Sequence, residues 1–352
     1  MKPATPLLPQ VTALAIGVAG GLAAYWGGLP LPWMLGPMIA NTFAAMWRAP
    51  IAGPERLRPY VIPVIGVMLG SGVTAEIFGL LGTWLLTLLL LPLFLLCAAG
   101  ISYAVYRRIG RYDPVTAFYS AMPGGLNEML ILGAEAGGDE RRIALAHAAR
   151  VLMIIVFVAL FFGLFLGVSS GGRGAVQWIG LQQITVLDYV VLGLCAVAGA
   201  LLGKKLGLPA APVFGPMILS GIAHIAGWVT VAPPTLFVIA AQITIGTIIG
   251  TRFIGATLAE IRRDIGLSAI ASILMLIAAV GFAELIFVVT DIPLAQAFLA
   301  FSPGGLTEMS LLTLAMEQDA TYVSVMHIIR ITFVIALAPF VFKLAGPKGE
   351  RP

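Results

Sequence analysis

Apolar runs long enough to be buried end to end, broken by short polar stretches that hold most of the charges, follow one another along the whole chain. They fall at roughly 8–27, 31–47, 59–80, 83–106, 113–135 and 142–168, and then at 187–203, 210–228, 234–255, 265–289, 293–316 and 320–342. About 20 helical residues, each rising ~1.5 Å, cover the ~30 Å hydrocarbon layer of a bilayer, and most of these runs reach that length. The pattern predicts an all-α integral membrane protein.

Composition points the same way. Charged residues make up 10% of the chain and hydrophobic ones 60%, with a mean hydropathy of +1.02, against about 25% charged in a soluble domain. The 41 glycines and 23 prolines fit helices inside a bilayer, where both are tolerated. The net charge of +4 is spread over the loops, so it reads as topology and gives nucleic acid no basic face to bind. Cys97 and Cys195 lie inside apolar runs without CxxC spacing, which leaves no disulfide framework and no zinc site. The first run follows Lys2 and resembles a signal peptide. A matching segment opens the second half, so a retained first helix is expected.

The second half repeats the first. Ala121-Met-Pro-Gly-Gly-Leu-Asn-Glu-Met129 returns as Phe301-Ser-Pro-Gly-Gly-Leu-Thr-Glu-Met309. The same offset of 180 positions carries His147 and Arg150 onto His327 and Arg330, and Gly66 and Gly70 onto Gly246 and Gly250. Gly36-Pro-Met38 returns as Gly215-Pro-Met217. The expected organisation is a first repeat at 1–168, a linker at 169–186, a second repeat at 187–346 and a cytoplasmic tail at 347–352.

Charge sets the relative orientation of the repeats. Positive residues follow the second and fourth runs of the first half (Arg48, Arg56, Arg58; Arg107, Arg108, Arg111), but the first and third runs of the second half (Lys204, Lys205; Arg252, Arg262, Arg263). If basic loops face the cytoplasm, corresponding loops lie on opposite sides and the repeats are inverted. Inversion needs an odd number of crossings per half. The fifth run, at 113–135 and 293–316, is therefore expected to enter and leave on one side, since Pro-Gly-Gly leaves arms of about 14 Å. Ten transmembrane helices plus two re-entrant hairpins result, with both termini cytoplasmic in a bacterial-type inner membrane. Twelve elements with broken crossing helices are the alternative. Every Lys and Arg except Arg150, Arg173 and Arg330 then lies on the cytoplasmic side.

Arg150 and Arg330 fall inside the sixth helix of each half, where a charge costs about 2.5–3.5 kcal/mol and needs protein, water or an anion beside it. They are expected either to hold an anionic substrate or to lock each hairpin by pairing with Glu128 and Glu308. His147 and His327 lie three residues earlier on the same helical face, as proton carriers or as buried hydrogen-bonding groups. Gly124, Gly125, Gly304 and Gly305 permit positive φ and close backbone approach at the hairpin tips. Asn127 and Thr307 begin the second arms, followed by Glu128 and Glu308, which either stabilise the helix N-terminus or carry coupling charge. The second arm's N-terminus attracts anions, and the freed carbonyls of the first arm suit a cation such as sodium.

The paired motifs, from Leu29-Pro30 through Gly36-Pro-Met38, the Pro-Gly-Gly tips and His147-x-x-Arg150, resemble the AbrB membrane-protein duplication family over nearly the whole chain. Its members carry the labels ammonia monooxygenase and AbrB family regulator, and it is similar more broadly to inverted-repeat sodium symporters with glycine-rich re-entrant loops. That likeness implies that the four tip glycines line a pore. Neither label suits the residues: three histidines on separate helices make no copper or iron cluster, and no soluble stretch is long enough for a DNA-binding module. No enzymatic activity and no cofactor is expected beyond sodium as a coupling ion. The expected function is secondary transport of a small anionic organic solute, coupled to sodium or protons, by a homodimer. A channel for a small neutral or cationic molecule such as ammonia is the alternative.

Overall fold

A computed structural model describes residues 7–29, 31–75, 77–165, 178–208 and 210–345. The expected tail at 347–352 and the linker residues before Trp178 lie outside the described residues. The described residues form α-helices joined by short turns, with no strand among them. The first half contains α1 (Leu7–Trp26), α2 (Pro32–Met46), α3 (Arg58–Ser71), α4 (Ile77–Ala104), α5 (Pro114–Ala121), α6 (Leu126–Glu135) and α7 (Glu140–Phe165). The second repeats that order as α8 (Val186–Lys205), α9 (Ala211–Ile225), α10 (Thr235–Gly250), α11 (Leu258–Thr290), α12 (Leu294–Phe301), α13 (Leu306–Ala315) and α14 (Ala320–Ala345). Six described helices are long and apolar enough to cross a membrane. This is an all-α membrane protein.

Two boundaries differ from the hydropathy pattern. α3 ends at Ser71 instead of near 80, because Gly72 and the β-branched Val73 and Thr74 break it, and the apolar residues beyond open α4. α11 begins at Leu258, well before the apolar run. Thr257 and Glu260 form a capping box there, with Glu260 N–H donating to Thr257 Oγ1 at 3.2 Å and Thr257 N–H to Glu260 Oε2 at 2.8 Å.

The chain divides into two compact units that cut across the duplication. The first comprises Met1–Leu80, Ala159–Gly255 and Ser310–Thr321; the second comprises Leu81–Val158, Ala256–Met309 and Tyr322–Pro352. Each repeat thus contributes its first three helices to the first unit and most of the rest to the second.

Within the first unit, glycines set the packing. A Cβ on Gly36 of α2 would strike the Gly20 carbonyl of α1, and one on Gly215 of α9 would strike the Gly199 carbonyl of α8. Between repeats, Gly66 and Gly70 of α3 press on the carbonyls of Val213 and Met217, while Gly246 and Gly250 of α10 press on those of Met34 and Met38. The Gly-Pro-Met motifs are therefore helix-crossing points. Apolar side chains gain little by leaving lipid for one another, so close backbone approach is a main source of cohesion here. Ser220 adds a hydroxyl bond from α9 to the Val67 carbonyl of α3, at 2.8 Å.

In the second unit, α4 and α11 run antiparallel. The Tyr106 and Ser268 hydroxyls meet at 3.0 Å, and the Phe94 and Phe282 ring centres lie 5.4 Å apart. α7 runs parallel to α11, with Arg141 3.0 Å from Glu260 and Ser268 Oγ donating to Ala146 O at 3.3 Å. α5 and α6 fold back on each other: Asp139 N–H donates to Thr116 Oγ1 at 2.8 Å, and a Cβ on Gly133 would lie 3.3 Å from Tyr119 Cβ. That geometry is a helical hairpin with its tip at the Pro-Gly-Gly.

Candidate functional site

The first hairpin starts from a well-capped base. Asp113 accepts from Thr116 N–H at 2.8 Å, and Pro114 fills the first helical position, where no N–H is needed. α5 ends at Ala121 because Pro123 cannot continue it, which leaves its last carbonyls without helical partners. Arg150 reaches them from α7. Its Nη1 donates to Met122 O at 2.9 Å and to Ser120 O at 3.3 Å, while Nη2 donates to His147 Nδ1 at 3.0 Å. His147 Nε2 in turn donates to Tyr119 O at 2.8 Å, which fixes the ring's tautomer.

The end of α12 is clamped in the same manner. Arg330 of α14 donates through Nη1 to Ser302 O at 2.6 Å and through Nη2 to Gly304 O, and His327 Nε2 donates to Leu299 O at 3.0 Å. The freed carbonyls at these tips are thus held by guanidinium groups. All four side chains are buried, with at most 3% of their surface exposed.

Glu128 and Glu308 stand at the starts of α6 and α13. Each is the third residue of its helix, and its carboxylate folds back over the glycine before the helix, Gly125 or Gly305, so closely that a Cβ there would collide with it. That position satisfies the positive end of the helix dipole. The described ion pairs Arg141–Glu260, Arg142–Asp139 and Arg252–Glu55 lie elsewhere. The described hydrogen bonds of Arg150 and Arg330 run to backbone carbonyls and, for Arg150, to His147. Arg330 also feels the positive charge of Arg150.

The tip glycines act through close approach, and the positive φ expected of them is not used: no residue of either tip has one. A Cβ on Gly124 would meet Val334 of α14, and one on Gly304 would meet Met309. Thr307 occupies the second position of α13 and is half-buried; the Asn127 side chain at the matching position of α6 lies outside the described part. Against the first tip lies a cavity of about 440 Å³, lined by Tyr103 of α4, Phe118 of α5, Met122, Pro123, and Phe333 and Leu337 of α14, among others. Its wall is almost wholly apolar.

Beside the hairpin base, a polar cluster ties the loop before α5 to α11. Tyr112 Oη donates to Asp264 Oδ1 at 2.6 Å, and the Arg142 and Arg263 guanidiniums lie 5.3 and 5.5 Å from the Tyr112 ring centre. Burial, then the bond to Asp264 and its charge, push the Tyr112 pKa above its ordinary value of 10.0. Hydropathy gave no hint of this cluster, because most of its members fall between the apolar runs.

Comparison with known proteins agrees with the resemblance to the AbrB family. The chain is 27% identical over 370 residues to the "Uncharacterized protein YhjN" of Bacillus subtilis (strain 168), covering 98% of this chain and 95% of that protein. It is 24% identical over 325 residues to the "Putative regulator AbrB" of Escherichia coli (strain K12), covering 92% of each. The family model described as "Transition state regulatory protein AbrB" matches residues 33–346, and the chain belongs to the AbrB family.

Proposed function

We propose that the protein is a secondary transporter of a small anionic organic solute, working by alternating access at its paired Pro-Gly-Gly hairpins. The observation that carries this reading is the pair of buried guanidiniums, Arg150 and Arg330, whose described partners are backbone carbonyls and, for Arg150, His147. Buried charge of one sign is costly, and a bound anion would offset it. Gly124, Gly125, Asn127, Gly304, Gly305 and Thr307 would complete the site with backbone and side-chain donors, and the cavity against the first tip would take the apolar part of the solute. Glu128, Glu308, His147 and His327 would carry the coupling charge, with sodium or a proton as the coupling ion. Inverted repeats spanning ten times with two re-entrant hairpins, basic loops in the cytoplasm of a bacterial-type inner membrane and a homodimeric assembly complete the proposal.

The test is uptake of radiolabelled carboxylates into proteoliposomes under imposed sodium or proton gradients. Accumulation above equilibrium, lost in Arg150→Gln, is the expected result. Flux that only equilibrates and ignores both gradients would instead identify a channel for a small neutral or cationic molecule.

A further inference from the structure

Buried hydroxyls on helices in this protein usually donate to a carbonyl one turn back. Thr42 does so to Met38 O, Thr87 to Trp84 O, Thr251 to Thr247 O and Ser302 to Phe298 O. Three serines break the pattern. Ser102 of α4, Ser120 of α5 and Ser272 of α11 are fully buried, and none of their Oγ atoms has a partner among the described residues. The Arg150 Nε is buried and unpartnered as well. Each such group has given up its water and is uncompensated if nothing meets it.

Helix register brings the four together. The antiparallel pairing of Tyr106 with Ser268 and of Phe94 with Phe282 sets Ser102 opposite Ser272, one turn along each helix. The parallel pairing of Ala146 with Ser268 sets Arg150 level with Ser272, again one turn on. Ser120 is already in place, since its carbonyl accepts from Arg150. Four helices thus deliver three free hydroxyls and one free N–H to a single level of the second unit.

Arg330 Nε and His327 Nδ1 are likewise buried without a partner among the described residues, but the serines have no counterparts beside them. The positions 180 residues away from Ser102, Ser120 and Ser272 are Phe282, Ala300 and Pro92. Phe282 packs with Phe94 and Phe301, their ring centres 5.2–6.1 Å apart. The duplication kept both arginine clamps, and the serines accompany the first.

We infer that Ser102, Ser120 and Ser272, together with the Nε of Arg150, form the carboxylate-binding end of the transport site. The inference rests on the anion reading above and names the residues that make it. Hydroxyl and N–H donors converging on an acceptor-only group suit a carboxylate. The guanidinium at the same level disfavours a metal cation, and its bonds to Ser120 O, Met122 O and His147 Nδ1 leave the Nε–H and one Nη2–H to meet an acceptor.

The test is the melting temperature of the purified full-length protein, titrated with sodium acetate against sodium chloride at matched pH and ionic strength. Acetate is expected to raise it saturably and chloride not. Ser120→Ala and Ser272→Ala should each weaken the acetate midpoint by about ten-fold. Thr332→Ala, whose hydroxyl already donates to Ile328 O at 2.9 Å, should leave it unchanged. An acetate shift undiminished in the single serine variants and in the triple variant with Ser102→Ala would overturn the serine shell and leave the arginine reading standing. No acetate shift in the unmodified protein would overturn both.

Discussion

Arg330 and Arg150 are the residues on which the second unit turns. Each spends its guanidinium on carbonyls that a proline-broken helix leaves open, so each serves as a C-terminal cap supplied from another helix. Replacing Arg330 by Gln removes two charge-assisted bonds in a buried site and should cost about 3 kcal/mol, read as a fall in the detergent melting temperature. Tyr112 has a different signature. It lies between the apolar runs, and its raised pKa means that the folded state holds the phenolic proton more tightly than the unfolded chain. The stability this brings is complete below the unfolded pKa, about 10, and is lost as pH rises above it. The melting temperature of the unmodified protein should therefore fall more steeply above about pH 10 than that of Tyr112→Phe. A variant with the same alkaline slope would show that the Tyr112 proton adds nothing to stability. The arginines, histidines and tip motifs were legible in the chain because a charge or a Pro-Gly-Gly inside an apolar run has a cost that demands a reason. Ser102, Ser120 and Ser272 were not legible, because a serine is nearly neutral in an apolar run and only its neighbours reveal whether its hydroxyl is satisfied.

Helix existence was legible almost throughout; helix partnership was not. Gly66 meets Val213 and Gly246 meets Met34 across long stretches of chain, and no local pattern encodes either meeting. Hence the sequence repeats are continuous, while the compact units exchange helices between them. The hairpin partnership was readable in outline, since two short arms about a Pro-Gly-Gly suggest a return. The carbonyls that each buried arginine meets were not foreseen beside an anionic substrate or a glutamate, for composition does not reveal which carbonyls a broken helix sets free. Packing at the glycine crossings gives a contrast within one type of substitution. Gly215→Ala drives a methyl group into the Gly199 backbone and should destabilise by about 1–3 kcal/mol, whereas Gly193→Ala on α8 meets nothing within 4 Å and should be neutral or gain up to ~1 kcal/mol from helix propensity. Thermal melts of the two variants should therefore move apart, and equal shifts would mean that α8 and α9 are not packed through this contact.

At the scale of the molecule, the duplication supplies two similar clamps and divergence has made them unequal. Where Asp264 and Arg142 stand in the polar cluster at one end of the second unit, the positions 180 residues away hold Trp84 and Tyr322, whose rings meet edge to face at 5.3 Å. One end is thus closed by charge and the other by aromatic packing. An inverted pair makes that difference intelligible, because equivalent positions then face opposite compartments. The most direct measurement is labelling of single cysteines in intact cells with a membrane-impermeant thiol reagent, with Cys97 and Cys195 replaced. Arg56→Cys and Lys204→Cys should react only after permeabilisation, and Thr230→Cys, in the loop equivalent to that of Arg56, should react at once. Arg56→Cys and Thr230→Cys responding from the same side would show the repeats to be parallel and contradict the account.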